Sequence, residues 1–135
     1  GFRRDYQFGG AVLVGRGGIG AEHFDQVAVR IGRIGPDEAR RMLDDTIVGR
    51  MLRTARAGAI PDDGIVAAII GLAALGDDHP EIAEVDLNPI LVGRERTVAV
   101  DALVVRADAP PADIGTGSPT LEPALERATR EVMNP

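Results

Sequence analysis

The chain has 135 residues, 44% of them hydrophobic, and 15 basic against 21 acidic residues for a formal net charge of -6, the arithmetic of one soluble, mildly acidic domain. Every basic residue is Arg, which excludes Schiff-base and P-loop lysine chemistry within this segment, and the lack of Cys excludes disulfides, thiolate nucleophiles and thiolate zinc sites. Four aromatics without Trp disfavour base stacking, the acidic balance disfavours nucleic acid, and no apolar run approaches the ~18 residues of a membrane helix, so a soluble cytoplasmic protein is expected.

In chain order, Phe8 to Val14 is short and apolar and runs into Gly15-Arg16-Gly17-Gly18-Ile19-Gly20, a strand entering a glycine loop. From Phe24 to Ile31 both periods fit, but the β-branched Val27, Val29 and Ile31 favour a strand. Gly35-Pro36-Asp37-Glu38 opens a helix over Asp37 to Asp45, with proline and acids in its first turn and Ala39, Met42 and Leu43 on one face. An Arg-containing connection from Gly49 to Gly58 leads to a second helix, Asp62 to Leu75, stopped at Gly76. Ile82 to Val92 and Thr97 to Arg106 read as the strands of a hairpin turning at Gly93-Arg94-Glu95-Arg96. Residues 107–119, with Pro110-Pro111 and Gly115-Thr116-Gly117, read as a linker closing a domain of residues 1–106. Residues 120–135 read as a short helix that needs a partner to bury Leu121, Leu125, Ala128 and Val132.

The hairpin carries the most chemistry. Side chains alternate along a strand, so Ala83, Val85 and Leu87 share one face and Glu84, Asp86 and Asn88 the other. A turn centred on Arg94 and Glu95 sets Asn88 opposite Asp101, with Cβ atoms roughly 5 Å apart. Asp101 stands among Val98, Ala99, Val100, Ala102, Leu103 and Val104, poor company for a carboxylate unless a cation meets it. Oxygen ligands from Asp86, Asn88 and Asp101 suit Mg²⁺, which takes one or two carboxylates plus waters and substrate phosphates. A solvated acidic face, or Asp101 paired with an Arg, fits the same residues.

Gly15, Gly17 and Gly20 also satisfy the spacing of a dinucleotide-binding turn, but Gly35-Pro36 leads from the next strand straight into a helix, which leaves that unit incomplete. A loop meeting phosphate through backbone N–H groups and a plain glycine-rich connection both remain open. Arg30 is placed to clamp phosphate or to serve as a structural or surface residue, and Glu22 beside the loop is a similar case. His23 and His79 stand beside turns, and no Ser-His-Asp or His-pair metal spacing can be assembled.

Residues 5–106 resemble the C-terminal half of the ATP-grasp domain of NDP-forming acyl-CoA synthetases, a group that includes the ADP-forming acetate–CoA ligases, with succinyl-CoA synthetase β a more distant cousin. The likeness rests on Phe8-Gly9, Ala11 to Val14, Gly15-Arg16-Gly17-Gly18-Ile19 and Glu22, and more specifically on Glu84-Val85-Asp86-Leu87-Asn88-Pro89 followed by Val100-Asp101-Ala102. It implies an α+β fold, an antiparallel sheet flanked by helices. It also implies Asn88 and Asp101 as Mg²⁺ ligands, Asp86 on the metal or phosphate, Glu22 and Arg30 near the phosphates, and ATP or ADP as substrate. The implied partners are a lysine-bearing N-terminal grasp half and a CoA-binding domain following residues 120–135. The implied reaction joins an acid and CoA at the expense of ATP, through a phosphohistidine that neither His23 nor His79 matches, and this segment alone is expected to be inactive. The family's lysine after Glu22 is absent from Ala21-Glu22-His23-Phe24-Asp25-Gln26, and that departure leaves a degenerate, non-catalytic grasp half acting as an interaction module as the alternative.

Overall fold

The computed structural model describes residues 1–17, 27–56 and 58–107. Among them the elements run β1 (Phe2–Asp5), β2 (Gly9–Gly15), β3 (Val27–Ile31), α1 (Pro36–Asp44), α2 (Ile47–Arg53), α3 (Asp63–Asp78), β4 (Ile82–Asp86), β5 (Ile90–Val92), β6 (Thr97–Ala99) and β7 (Leu103–Arg106). Five strands form one sheet in the order β3-β2-β1-β4-β7, every pair antiparallel, and β5 and β6 form a separate two-stranded ladder. The expected α+β architecture is the one observed. The linker and terminal helix expected over residues 107–135 lie, apart from Ala107, outside the described residues.

Register explains which face the helices cover, because residues directly opposite in a ladder share a face. Phe2 stands between Val12 and Val85, and Val14 stands opposite Ala28. All five are buried together with Ala39, Met42 and Leu43 of α1, Leu52 of α2, and Ile65, Val66, Ile69, Leu72 and Ala73 of α3. The Phe2 ring, 2% exposed, is enclosed by two glycines. A Cβ on Gly10 of β2 would stand 2.7 Å from Phe2 Cε2, and one on Gly76 of α3 would overlap the same ring edge. Gly76 is thus a buried packing position inside α3 rather than the helix stop expected of it, and the helix runs on to Asp78.

The end of α3 is closed from the sheet. No basic residue lies in its last turn, and Arg4 of β1 supplies the missing positive charge. Arg4 Nη2 donates to the carbonyls of Gly76 (2.5 Å) and His79 (3.0 Å), and Nε donates to Ile82 O at 3.0 Å. A cation at a helix C-terminus is favoured by the macrodipole and by the otherwise unmet carbonyls. Arg4→Met, which keeps the stem and removes the donors, is expected to cost about 1–3 kcal/mol in thermal or denaturant unfolding.

Two elements went unforeseen. β1, the central strand, is only four residues long and carries two arginines and an aspartate, so alternation has almost nothing to act on. α2 occupies part of the expected connection from Gly49 to Gly58, and its cap is the signal that identifies it. The buried Thr46 Oγ1 accepts from Gly49 N at 3.4 Å and donates to Leu43 O at 2.7 Å. Gly49 is required by contact, since a Cβ there would stand 2.5 Å from Leu43 O.

The hairpin keeps its expected centre but not its continuity. Val92, Leu91 and Ile90 face Thr97, Val98 and Ala99, and Asp86, Val85 and Glu84 face Leu103, Val104 and Val105, one register centred on Arg94 and Glu95. Between the two ladders the strands part at residues 87–89 and 100–102, where the Asn88–Pro89 peptide is cis and Val100 N donates to Pro89 O at 3.0 Å. Ala83 is bulged out of the β4–β7 ladder.

Candidate metal and phosphate site

The sheet's second face carries no helix of its own among the described residues. The registers lay it out as rows across the strands. One row is Ile31, Ala11, Arg3, Glu84 and Val105, and the next is Val29, Leu13, Gly1, Asp86 and Leu103. Gly1 takes its place in the second row through paired backbone bonds, its N to Leu13 O at 2.8 Å and Leu13 N to its O at 2.9 Å, and it stands beside Asp86. The flanks are apolar and open, with Ile31 50% and Leu103 56% exposed, while the middle is glycine and carboxylate.

Asp86 is the last ladder residue of β4 on this face, and Asn88 and Asp101 lie in the two stretches where the ladder is interrupted. Asn88 and Asp101 are therefore not a ladder pair, although the register on either side is the one that sets them across from each other. The glycine loop enters the same corner, for a Cβ on Gly17 would stand 3.3 Å from Asn88 Oδ1. A Cβ on Gly1 would likewise stand 3.5 Å from Asp86 Oδ1. Two glycines thus leave room beside two of the three proposed oxygen donors.

Asp101 corrects one physical expectation. It is exposed, as are its neighbours Val100, Leu103 and Val104, so it is not a carboxylate in an apolar environment, and the desolvation argument for a cation falls. Its Oδ1 accepts from Ala102 N at 2.8 Å, which orders the carboxylate on its own turn. What it retains is its place in the break between the two ladders, on the stretch opposite residues 87–89.

Arg30 is not brought to these residues. It stands opposite Val12 and so on the helix side of the sheet, with Nε 2.6 Å from Glu38 Oε1 and Nη2 2.5 Å from Asp45 Oδ2. Both bonds raise its pKa, the one to Glu38 more, and the guanidinium is a strut between β3 and α1. Glu38 also pairs with Arg41, and the hydrogen bonds from Arg30 and then Arg41 hold its carboxyl below the ordinary glutamate value. A carboxylate whose folded pKa is depressed stabilises fully above its unfolded value, near pH 4.3, and loses that contribution as pH falls through the folded value. Acid unfolding should accordingly begin below that pH, and Glu38→Gln should remove part of the acid slope while leaving the neutral limb flat in pH.

Glu22 lies outside the described residues, as does the loop from Gly18 onward. His79 terminates α3, with Nδ1 3.2 Å from Glu81 Oε1, on the helix-to-strand turn and apart from the carboxylate face. Among the described residues no three His, Cys, Asp or Glu side chains are grouped to hold a metal by themselves. Two carboxylates, one amide oxygen and oxygens from a bound phosphate are what Mg²⁺ accepts, so the donor set fits that ion. It gives thiolate- or imidazole-seeking metals nothing.

Residues 1–105 match the ATP-grasp domain family, and the chain belongs to it. Within that family its relatives are ADP-forming acetate–CoA ligases. It is 36% identical over 106 residues to acetate–CoA ligase [ADP-forming] I of Archaeoglobus fulgidus, covering 78% of this chain and 16% of that one. To the β subunit of the Pyrococcus furiosus isoenzyme I it is 33% identical over 106 residues, covering 78% of this chain and 46% of that subunit. The fold superposes on acetyl-coenzyme A synthetase 1 of Ca. Korarchaeum cryptofilum with a TM-score of 0.71 at 30% identity, covering 78% of this chain and 48% of that one. One structure of that synthetase carries coenzyme A and Mg-AMPPCP, with its phosphohistidine segment pointing towards the nucleotide site. The chain thus spans half or less of the length of these relatives.

Proposed function

We propose that this chain is the part of an NDP-forming acyl-CoA synthetase that holds the nucleotide phosphates and their metal. The complete reaction is acid + CoA + ATP to acyl-CoA + ADP + phosphate, in the cytoplasm. The observation that supports this reading is the break between the two ladders at residues 87–89 and 100–102, next to Asp86, where a Cβ on Gly17 would stand 3.3 Å from Asn88 Oδ1. Membership of the ATP-grasp family, among ADP-forming acetate–CoA ligases, supports it.

In this reading Asn88 and Asp101 hold Mg²⁺, and Asp86 binds the metal or orients phosphate. When bound, Mg²⁺ offsets negative charge on the transferring phosphoryl group. The chain's own residues do the positioning: paired strands fix Asp86, Ala102 N fixes the Asp101 carboxylate, and Gly17 keeps the approach to Asn88 free of side chains. The family resemblance also assigns Glu22 to the phosphates. The lysine-bearing half of the grasp, the phosphorylated histidine and the CoA-binding domain belong to other parts of the enzyme, so the isolated segment is inactive.

The test is product analysis with the complete protein. Incubation with a panel of short-chain acids, CoA, ATP and Mg²⁺ should give acyl-CoA with ADP and phosphate in equal amounts, and labelled ATP should leave phosphate on a histidine. Formation of AMP and diphosphate, or no phosphohistidine with any acid, would refute it.

A further inference from the structure

We propose that Arg94, at the tip of the β5–β6 hairpin, is a positioning residue of the metal site. Its bond to Gly58 O, together with the seat of Thr97 on Gly64, fixes where residues 88 and 101 stand relative to Asp86. The assignment rests on the nucleotide reading above and adds to it the contacts that set the site's shape.

The chain passes from the five-stranded sheet to the hairpin and back through residues 87–89 and 100–102, so Asn88 and Asp101 are both crossing positions between the two ladders. Asp86 belongs to the sheet. Any swing of the hairpin therefore moves two of the proposed donors relative to the third. The hairpin does not hold its own place. Each of its strands is three residues long, and a two-stranded ladder is marginal without packing. Leu91 and Val98, paired on one face, are exposed, so that face adds nothing to its fixing.

The opposite face and the tip are tied to the helical layer. Val92 and Thr97 are ladder partners and share a face. Val92 packs on the core. Thr97 fills the space that a side chain at position 64 would need, since a Cβ on Gly64, in the first turn of α3, would overlap Thr97 Oγ1 and Cβ. At the tip, Arg94 Nη2 donates to Gly58 O at 2.8 Å. The loop that presents this carbonyl is itself pinned, with Gly58 N donating to Ala55 O at 2.9 Å and Ile60 N to Leu52 O at 2.8 Å. Gly58 has a φ of +98°, a conformation that glycine adopts without strain. Arg94 is six residues from Asn88, up to about 20 Å at the rise of a strand. It therefore acts on the donors through the hairpin, from the end where a bond best controls the hairpin's angle.

The experiment measures nucleotide-dependent turnover against Mg²⁺ concentration, with nucleotide KM, kcat and melting temperature, in the complete protein. The variants are Arg94→Met, Arg94→Lys, Gly64→Ala, Gly64→Ala with Thr97→Gly, and Asp101→Ala. Arg94→Met keeps the stem and removes the donors. It should raise the Mg²⁺ concentration for half-maximal turnover by about 10-fold, the low end for a residue that orients metal ligands, with the melting temperature near the wild-type value. Arg94→Lys should recover most of that loss, because one N–H donor is enough for one carbonyl. Gly64→Ala should also raise the Mg²⁺ requirement, and Thr97→Gly, which removes the atoms that the new methyl meets, should reverse part of the rise. A wild-type Mg²⁺ requirement in Arg94→Met and Gly64→Ala, with turnover lost in Asp101→Ala, overturns the positioning role and leaves the site standing. A lowered melting temperature with the Mg²⁺ requirement unchanged makes the anchors purely structural and overturns it equally. Wild-type turnover and Mg²⁺ requirement in Asp101→Ala overturn the nucleotide reading itself. If Gly64→Ala does not fold, the Arg94 variants decide: a rise in Arg94→Met that Arg94→Lys reverses supports the assignment, and no rise, or a rise that Arg94→Lys leaves in place, overturns it.

Discussion

Asp101→Ala in the complete protein is expected to lower nucleotide-dependent turnover by about 100-fold or more, the usual scale for removing one preorganised group from a charge-stabilising site. That factor corresponds to about 2.7 kcal/mol of transition-state stabilisation. Stability should barely move, since Asp101 is exposed and its only internal bond among the described residues is to the N–H of the next residue. Asp101→Asn refines the test. The amide oxygen can still accept from Ala102 N, so the turn keeps its shape while the charge is lost. A variant that folds like the wild type and turns over like Asp101→Ala assigns the effect to charge. A variant that turns over like the wild type assigns it to the turn and removes Asp101 from the metal site. Gly17→Ala should act more weakly through the same corner, because its methyl would press on Asn88 Oδ1 from 3.3 Å.

The largest effect on folding should come from Phe2→Ala, at about 3–5 kcal/mol. The ring joins three elements, between Val12 of β2 and Val85 of β4 in the sheet and against Gly76 of α3. Its loss opens a cavity that neighbouring backbone cannot collapse to fill. The complementary change makes the assignment specific. Gly76→Ala alone gains up to about 1 kcal/mol in helix propensity, yet overpacking against a fixed ring costs about 1–3 kcal/mol, so the variant should be less stable than the wild type. In a Phe2→Ala background the same substitution meets empty space and should stabilise. Unfolding of the four members of this cycle reports the coupling directly, and additive effects would show that the ring and the glycine do not touch.

Much of the fold can be read from residue pattern. β2, β3, α1 and α3 each carry either a run of β-branched residues or an apolar face at helical spacing, and their ends fall within a few residues of expectation. The hairpin register follows from its turn, because a centre at Arg94 and Glu95 dictates every later pair. What pattern could not convey is what depends on contacts far along the chain. Phe2–Asp5 becomes the central strand only because β2 and β4 flank it. The α2 helix turns on a buried threonine cap and a glycine packed on a carbonyl. Gly76 looks like a helix stop and is a seat for an aromatic ring.

The candidate site divides along the same line. The open-face position of Asp86 follows from alternation along β4, but the break that takes Asn88 and Asp101 out of the ladder has no signal in that alternation. Arg30 misleads. Alternation assigns it a polar face but cannot say which side of the sheet the helices occupy, and the acids that hold it come from α1 and the turn after it. The exposure of Asp101 was equally hidden, since apolar neighbours in sequence imply burial only where something covers them.

The most direct test of the metal and phosphate site is a calorimetric titration of the complete protein with ADP, with and without Mg²⁺, in the wild type and in Asn88→Ala. Mg²⁺ should tighten ADP binding to the wild type by about 10-fold or more, and that gain should vanish in Asn88→Ala while metal-free binding stays the same. An equal gain from Mg²⁺ in both proteins would contradict the assignment and place the metal away from this face.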